Sequence, residues 1–68
     1  MWTETRFHEL TVGDLVRDAD VTYVITETFD GVALLCRAFL ATPLTVTGPA
    51  RYFQAFQYDD HIERYDND

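Results

Sequence analysis

The run of β-branched side chains at residues 21–28 constrains the fold of this chain more than any other feature. Valine, isoleucine and threonine favour extended backbone because their branched Cβ atoms pack well on a pleated surface. The run is followed by Asp30-Gly31, a dipeptide that tolerates the positive φ angles of a type I′ hairpin turn. The sequence therefore predicts a long β-hairpin whose second arm covers residues 32–40.

A two-residue turn also predicts the register of that hairpin, because it places Phe29 opposite Val32. The face expected to enter the core carries Tyr23, Ile25, Leu34 and Cys36. The face expected to point outward carries Thr22, Thr26 and Thr28, together with Val24, Leu35, Arg37 and Phe39. These last four side chains are too apolar as a group to be fully solvated, so we expect them to form an interaction surface unless the aromatic stretch at residues 52–58 covers them.

The remaining turn signals indicate a compact all-β domain. Gly13-Asp14 and Gly48-Pro49 punctuate short apolar alternations, as turns do in small β folds. A chain of 68 residues has room for one core. We expect a single domain over residues 1–65, either a small β-barrel or a strongly bent antiparallel sheet, followed by an acidic tail at residues 66–68. Residues 50–58 fit either a helical turn or an irregular strand, and the pattern favours a strand.

Part of the chain is similar to a known class of small barrels. Residues 10–17, with the Gly13-Asp14 turn, are followed by Tyr23-Val24-Ile25 and then by the Asp30-Gly31 hairpin. This arrangement over residues 10–40 resembles the opening of SH3-like barrels of the KOW and Tudor type. The resemblance implies a five-stranded, strongly bent barrel that serves as an interaction module.

The charge of the chain favours a basic partner. Twelve acidic residues stand against five arginines, without any lysine, and give a net charge of -7. Nucleic acids reward proteins that place cations on phosphates, so a nucleic-acid ligand is less favoured than a basic protein. The acidity is concentrated at residues 59–68, and we expect Asp59, Asp60 and Glu63 to form an acidic binding edge. Solubility and adaptation to high salt remain alternative explanations of the same composition.

The residue inventory predicts no catalytic chemistry. The chain lacks serine and lysine, and its single cysteine, Cys36, is expected in the core, where a thiol is inert. The cluster from Asp59 to Glu63 has no recognised metal-binding spacing, so neither a metal nor a cofactor is expected. One cysteine suits a reducing cytoplasm, and the sequence contains no apolar stretch long enough for a signal or a membrane span.

These observations favour a non-catalytic module that binds another protein. One specific form of this function is an inhibitor of a host protein encoded by a phage or another mobile element. Two alternatives remain open at this point. The first is a small barrel that binds nucleic acid, and the second is a self-assembling homo-oligomer in which the apolar face forms the seam between subunits.

Overall fold

The protein is a single antiparallel β-sheet. The computed structural model describes residues 1–30, 37–57 and 59–67. The strands are β1 (Trp2–Arg6), β2 (Leu15–Asp18), β3 (Val21–Asp30), β4 (Arg37–Pro43), β5 (Arg51–Gln54) and β6 (His61–Tyr65), and a 3-10 turn covers Phe7–Glu9. They form one sheet in the order β1-β6-β2-β3-β4-β5, which is not closed. The all-β single-domain prediction is confirmed. Of the two expected forms, the structure has an antiparallel sheet, which is open and six-stranded, and not a five-stranded barrel.

Strand β6 holds the two ends of the described chain together. It pairs with β1 on one side and with β2 on the other. The pairing with β1 continues past the strands, because the N–H of Asp66 donates to the carbonyl of Met1 at 2.7 Å and the amino group of Met1 donates to the carbonyl of Asp66 at 2.9 Å. The sheet therefore extends to Asp66, one residue into the segment expected to be an acidic tail.

The turn that precedes β2 is the one predicted from the Gly13-Asp14 dipeptide. Gly13 has a φ of 95°, a left-handed conformation that glycine adopts without steric cost. The N–H of Gly13 donates to the carbonyl of Ile25 at 2.9 Å, and the carboxylate of Asp14 accepts the N–H of Thr11 at 2.9 Å. The Gly13-Asp14 turn thus joins the start of β2 to β3.

The register of β3 and β4 differs from the expected one. Asp30 pairs with Arg37 and Phe29 pairs with Ala38, so the predicted pairing of Val24 with Arg37 is wrong. Val24 instead lies opposite Thr42. The predictions for Leu34, Leu35 and Cys36 fall at residues 31–36, outside the described residues.

Burial of Phe39 explains why the predicted register was wrong. The two-residue turn would have left this ring facing outward, whereas the observed register places it in the core with no exposed surface. Burying a phenylalanine side chain stabilises a fold by about 1.5–3 kcal/mol, which outweighs the local preference for one turn type. The prediction that Phe39 faces outward is therefore wrong.

A bulge in β3 changes which residues face the core. The pairing shifts between Ile25 and Glu27, and Thr26 is the extra residue. A bulge of one residue reverses the alternation of the strand that contains it. Tyr23 and Ile25, before the bulge, are buried as predicted, whereas Thr28, after it, lies opposite Phe39 on the core face. The prediction that Thr28 points outward is wrong for this reason.

The core is a row of aromatic rings on one face of the sheet. The Phe39 ring stacks on Phe53 with a centroid distance of 4.8 Å and contacts Phe7 at 5.3 Å. Tyr23 meets the edge of Phe53 at 5.1 Å. The 3-10 turn brings Phe7 and the fully buried Leu10 onto this face. Residues 51–54 form a strand, as the sequence favoured, and place Phe53 in the core.

The neighbours Phe39 and Leu40 give a test of the register. Phe39→Ala should lower the free energy of unfolding by about 3–5 kcal/mol, because it empties the centre of the aromatic row. Leu40→Ala, which truncates a half-buried side chain on the other face, should cost clearly less. Urea denaturation followed by circular dichroism measures both values. Equal losses for the two variants would contradict the observed orientation of β4.

A candidate protein-binding face

The face of the sheet opposite the core, here called the outer face, carries several large apolar side chains. Residues directly opposite each other on neighbouring strands share a face, so the register identifies its members. They are Trp2, Glu4, Arg6, Leu15, Arg17, Thr22, Val24, Glu27, Phe29, Ala38, Leu40, Thr42, Tyr52, Gln54, His61, Glu63 and Tyr65. A contiguous apolar patch on a protein surface marks a site of interaction more often than a single exposed apolar side chain does.

One end of the outer face carries the Trp2 cluster, formed by Trp2, Arg17, Glu63 and Tyr65. Trp2 on β1 lies opposite Tyr65 on β6, and their rings meet edge to face at a centroid distance of 5.4 Å. The Arg17 guanidinium lies 4.5 Å from the centre of the Trp2 ring. The same guanidinium donates two hydrogen bonds to Glu63, at 3.1 and 3.0 Å. The cluster thus joins strands β1, β6 and β2 through one cation.

The ion pair in this cluster changes the acidity of its carboxylate. The hydrogen bonds from Arg17, helped by its positive charge, lower the pKa of Glu63 below the ordinary value for glutamate. The same hydrogen bonds raise the pKa of Arg17. Glu63 therefore stays ionised, and its two oxygens are already engaged within the chain.

The other half of the outer face carries the Phe29 cluster, formed by Phe29, Leu40 and Tyr52. The rings of Phe29 and Tyr52 lie 6.2 Å apart across strand β4. Phe29 is 38% exposed and Tyr52 is 55% exposed, whereas Leu40 is half-buried. Leu15 and Val24 lie opposite each other on the central strands, so apolar groups continue from one cluster toward the other.

A groove with a volume of about 440 Å³ lies at the β5 edge of the sheet, and it shares Tyr52 with the Phe29 cluster. Its other walls include Tyr23, Pro43 and Arg51 from the core side of the sheet, with Val46 and Pro49 from the loop between β4 and β5. The Arg51 guanidinium donates hydrogen bonds to the carboxylate of Asp18 at 2.8 Å and to the hydroxyl of Tyr23 at 3.1 Å. Because Asp18 balances the charge of Arg51, the groove suits an apolar group better than an anion.

The residues predicted as an apolar interaction surface are divided by the structure. Val24 lies on the outer face and is half-buried. Phe39 is in the core, and Leu35 lies outside the described residues. Arg37 is turned to the core face, where its guanidinium donates to the carboxylate of Asp30 and to the carbonyl of Leu10. The displaced register accounts for these corrections, since it places Leu40 where Phe39 was expected.

The acidic residues predicted as a binding edge do not form one free surface. The carboxylate of Asp60 accepts the N–H groups of Phe56 and Gln57 at 2.8 and 3.0 Å, so it shapes the turn before β6. Glu63 is bound to Arg17 in the Trp2 cluster. Asp59 is exposed at the surface of the same turn. Of the three, Glu63 alone lies on the outer face.

Sequence reasoning missed Trp2 and Tyr65 as members of the surface. Trp2 and Tyr65 lie at opposite ends of the chain and meet only through the pairing of β1 with β6. Tyr52 alternates with the buried Phe53 in β5, and that alternation is a signal the sequence already contained. The aromatic stretch therefore contributes to the core and to the outer face at once.

Within residues 1–30, 37–57 and 59–67, no group of three histidine, cysteine, aspartate or glutamate side chains is placed to hold a metal ion. No helix in the same residues is long and apolar enough to cross a membrane.

Comparison with known proteins gave no relative: no protein family, curated protein or solved structure matches the chain.

The Arg17–Glu63 pair predicts a specific pH dependence. Because the pKa of Glu63 is lower in the folded chain than in the unfolded one, the pair stabilises the fold fully above the unfolded pKa. That contribution is lost as the pH falls through the folded pKa. We expect Glu63→Gln to flatten the acid side of the profile of unfolding free energy against pH, measured by urea denaturation.

The matched control is Glu27→Gln, which removes an exposed carboxylate on β3, opposite Leu40 and apart from the Arg17 pair. A Glu63→Gln profile as steep as that of the wild type in the acid range would contradict the assignment.

Proposed function

We propose that this chain is a non-catalytic protein-binding domain that uses its outer face, with the Phe29 cluster at the centre of the contact. One observation carries the proposal. Phe29 and Tyr52 leave 38% and 55% of their surfaces exposed on the outer face, and Tyr52 also lines the groove at the β5 edge. Hydrated aromatic rings on a sheet face yield binding energy when a partner excludes the water.

The chemistry of the outer face supports a protein partner. Aromatic residues and arginine carry most of the binding energy at protein interfaces, and the face combines Trp2, Tyr52 and Arg17. The groove next to Tyr52 has the size and lining to accept one apolar anchor side chain from that partner. Because the strands fix these side chains before binding, little conformational entropy is lost on association.

Charge supports a partner with a basic surface around its apolar anchor. Glu27 is exposed on the outer face opposite Leu40, and the whole chain carries a net charge of -7. A negative charge on the domain accelerates encounter with a basic protein and disfavours acidic ones. An inhibitor of a host protein in the cytoplasm, the specific role expected from the sequence, is one form of this function.

The pairing of the arginines argues against nucleic acid as the ligand. Each of four arginines lies within 4.0 Å of a carboxylate oxygen, as seen in the pairs Arg17–Glu63, Arg37–Asp30, Arg51–Asp18 and Arg64–Asp14. An arginine that already neutralises a carboxylate gains little from a phosphate, because one anion only replaces another. Nucleic-acid binding by an SH3-like small domain is therefore the second hypothesis.

The experiment compares the wild type with a variant that carries Phe29→Glu and Tyr52→Glu. Tagged chains are used to purify partners from cells of the source organism, and each partner found is then purified and titrated by calorimetry. We expect the variant to bind at least about 30-fold more weakly, as loss of two interface anchors implies. The control variant, Gln57→Glu with Asn67→Glu, adds the same charge at exposed polar positions and should bind as the wild type does.

Two results would overturn the proposal. The first is a purified partner that binds the Phe29 and Tyr52 variant as tightly as it binds the wild type. The second comes from electrophoretic shift assays with labelled DNA and RNA over a salt series. Nucleic-acid binding at physiological salt by the wild type, lost in the variant, would assign the face to the second hypothesis.

A further inference from the structure

Strand β1 presents an open edge of the sheet. Toward β6, the main-chain bonds join Met1 to Asp66 and Phe7 to Asp60. Antiparallel strands alternate between residues that bond inward and residues that bond outward. The even-numbered residues Trp2, Glu4 and Arg6 therefore direct their N–H and C=O groups away from the sheet.

The opposite edge is a poorer template for pairing. By the same alternation, strand β5 bonds to β4 through Ala55, Phe53 and Arg51, which leaves only Tyr52 and Gln54 directed outward. Pro49, which has no N–H to donate, stands just before this strand. Strand β1 is thus the longer and less interrupted edge in the part of the chain that the structure describes.

Two charges on β1 are poorly matched to their own chain. Glu4 lies directly opposite Glu63 on β6, and like charges in that position repel. Arg6 lies opposite His61, another side chain that is cationic when protonated. Both Glu4 and Arg6 are exposed, and neither forms an ion pair with any described residue. The other arginines on the described chain contrast with Arg6, since each has a carboxylate partner.

We propose that β1 pairs in antiparallel fashion with β1 of a second copy of this chain, in the register centred on Thr5. In this register Glu4 lies opposite the partner's Arg6, and Arg6 lies opposite the partner's Glu4. Each of these residue pairs exchanges two main-chain hydrogen bonds, because all four residues direct their N–H and C=O groups toward the junction. Each chain thereby supplies the opposite charge that the other lacks.

The charges select this register over its neighbour. Centring the pair on Glu4 would form more main-chain hydrogen bonds, but it would place the two Glu4 carboxylates opposite each other. With Glu63 of each chain behind them, four carboxylates would then stand in one row across the strands. Centring the pair on Thr5 gives a row in which Glu63 and Glu4 are followed by the partner's Arg6 and then the partner's His61.

The same charges favour a second copy over an unrelated strand. Charged side chains on an edge strand normally discourage pairing, because an arbitrary partner leaves them unmatched. A glutamate and an arginine two residues apart form a pattern that complements itself under two-fold rotation. Such an edge disfavours pairing with most other strands and favours pairing with β1 of a second copy.

The inference concerns the edge of the sheet and does not rest on the proposed function. Self-association through β1 leaves the Phe29 cluster free to bind, because that cluster lies near the opposite edge of the sheet. Loss of one activity without the other therefore tells the two proposals apart.

Sedimentation velocity over a concentration series up to about 1 mM tests the pairing, since a short edge predicts a weak dimer. We expect a reversible equilibrium between monomer and dimer. Glu4→Arg and Arg6→Glu should each weaken it by about tenfold or more, because two attractive cross-strand pairs become repulsive. Circular dichroism verifies that these exposed substitutions leave the fold intact.

Two combinations of these substitutions make the test specific for the register. The double variant Glu4→Arg with Arg6→Glu restores opposite charges and should dimerise as the wild type does. A mixture of the two single variants should form a heterodimer, because one supplies two cations on β1 and the other two anions. The Phe29 and Tyr52 variant described above should dimerise normally.

Several outcomes would overturn the inference. A wild type that remains monomeric up to about 1 mM would exclude the pairing. Single variants that dimerise unchanged would show that the charges play no part. A double variant that stays monomeric would exclude the Thr5-centred register. Loss of the dimer in the Phe29 and Tyr52 variant would show that the apolar face is the seam.

Discussion

Burial of the Phe39 ring between Phe7 and Phe53 is the contact on which the remaining structure depends. It joins the 3-10 turn, β4 and β5 in one aromatic row, and the described residues form no second core that could compensate for its loss. Once Phe39 points inward, alternation turns Leu40 outward, and pairing brings Tyr52 beside it. The candidate binding face is therefore a direct consequence of how the core is packed.

Local signals in the sequence were sufficient for the fold class but not for the register. The β-branched run at β3, the Gly13-Asp14 turn and the burial of Tyr23 and Ile25 follow from propensity and alternation. The bulge at Thr26 and the pairing of Asp30 with Arg37 arise from the fit of side chains between strands, which no local pattern encodes. One shift in register was enough to exchange the expected roles of Phe39 and Leu40.

The candidate site was predictable only where its members are close in sequence. Val24 was identified from its own strand, whereas Trp2 and Tyr65 are joined by a pairing of distant segments. Counting charges also overstated the free acidity, because Asp60 and Glu63 are engaged by main-chain N–H groups and by Arg17. Net charge indicates the sign of the field around a protein, but hydrogen bonds decide which carboxylates remain available.

The position of β6 between β1 and β2 has a consequence for how the chain acquires its structure. During synthesis β1 and β2 leave the ribosome well before the strand that separates them, so neither can complete its pairing until residues 61–65 have emerged. Contacts between such distant segments slow folding, because a long loop must close before they form. The half of the sheet built on β3, β4 and β5 can assemble first, with the Phe29 cluster already on its surface. The Trp2 cluster is then the last part of the outer face to form, and its appearance marks the completion of the fold.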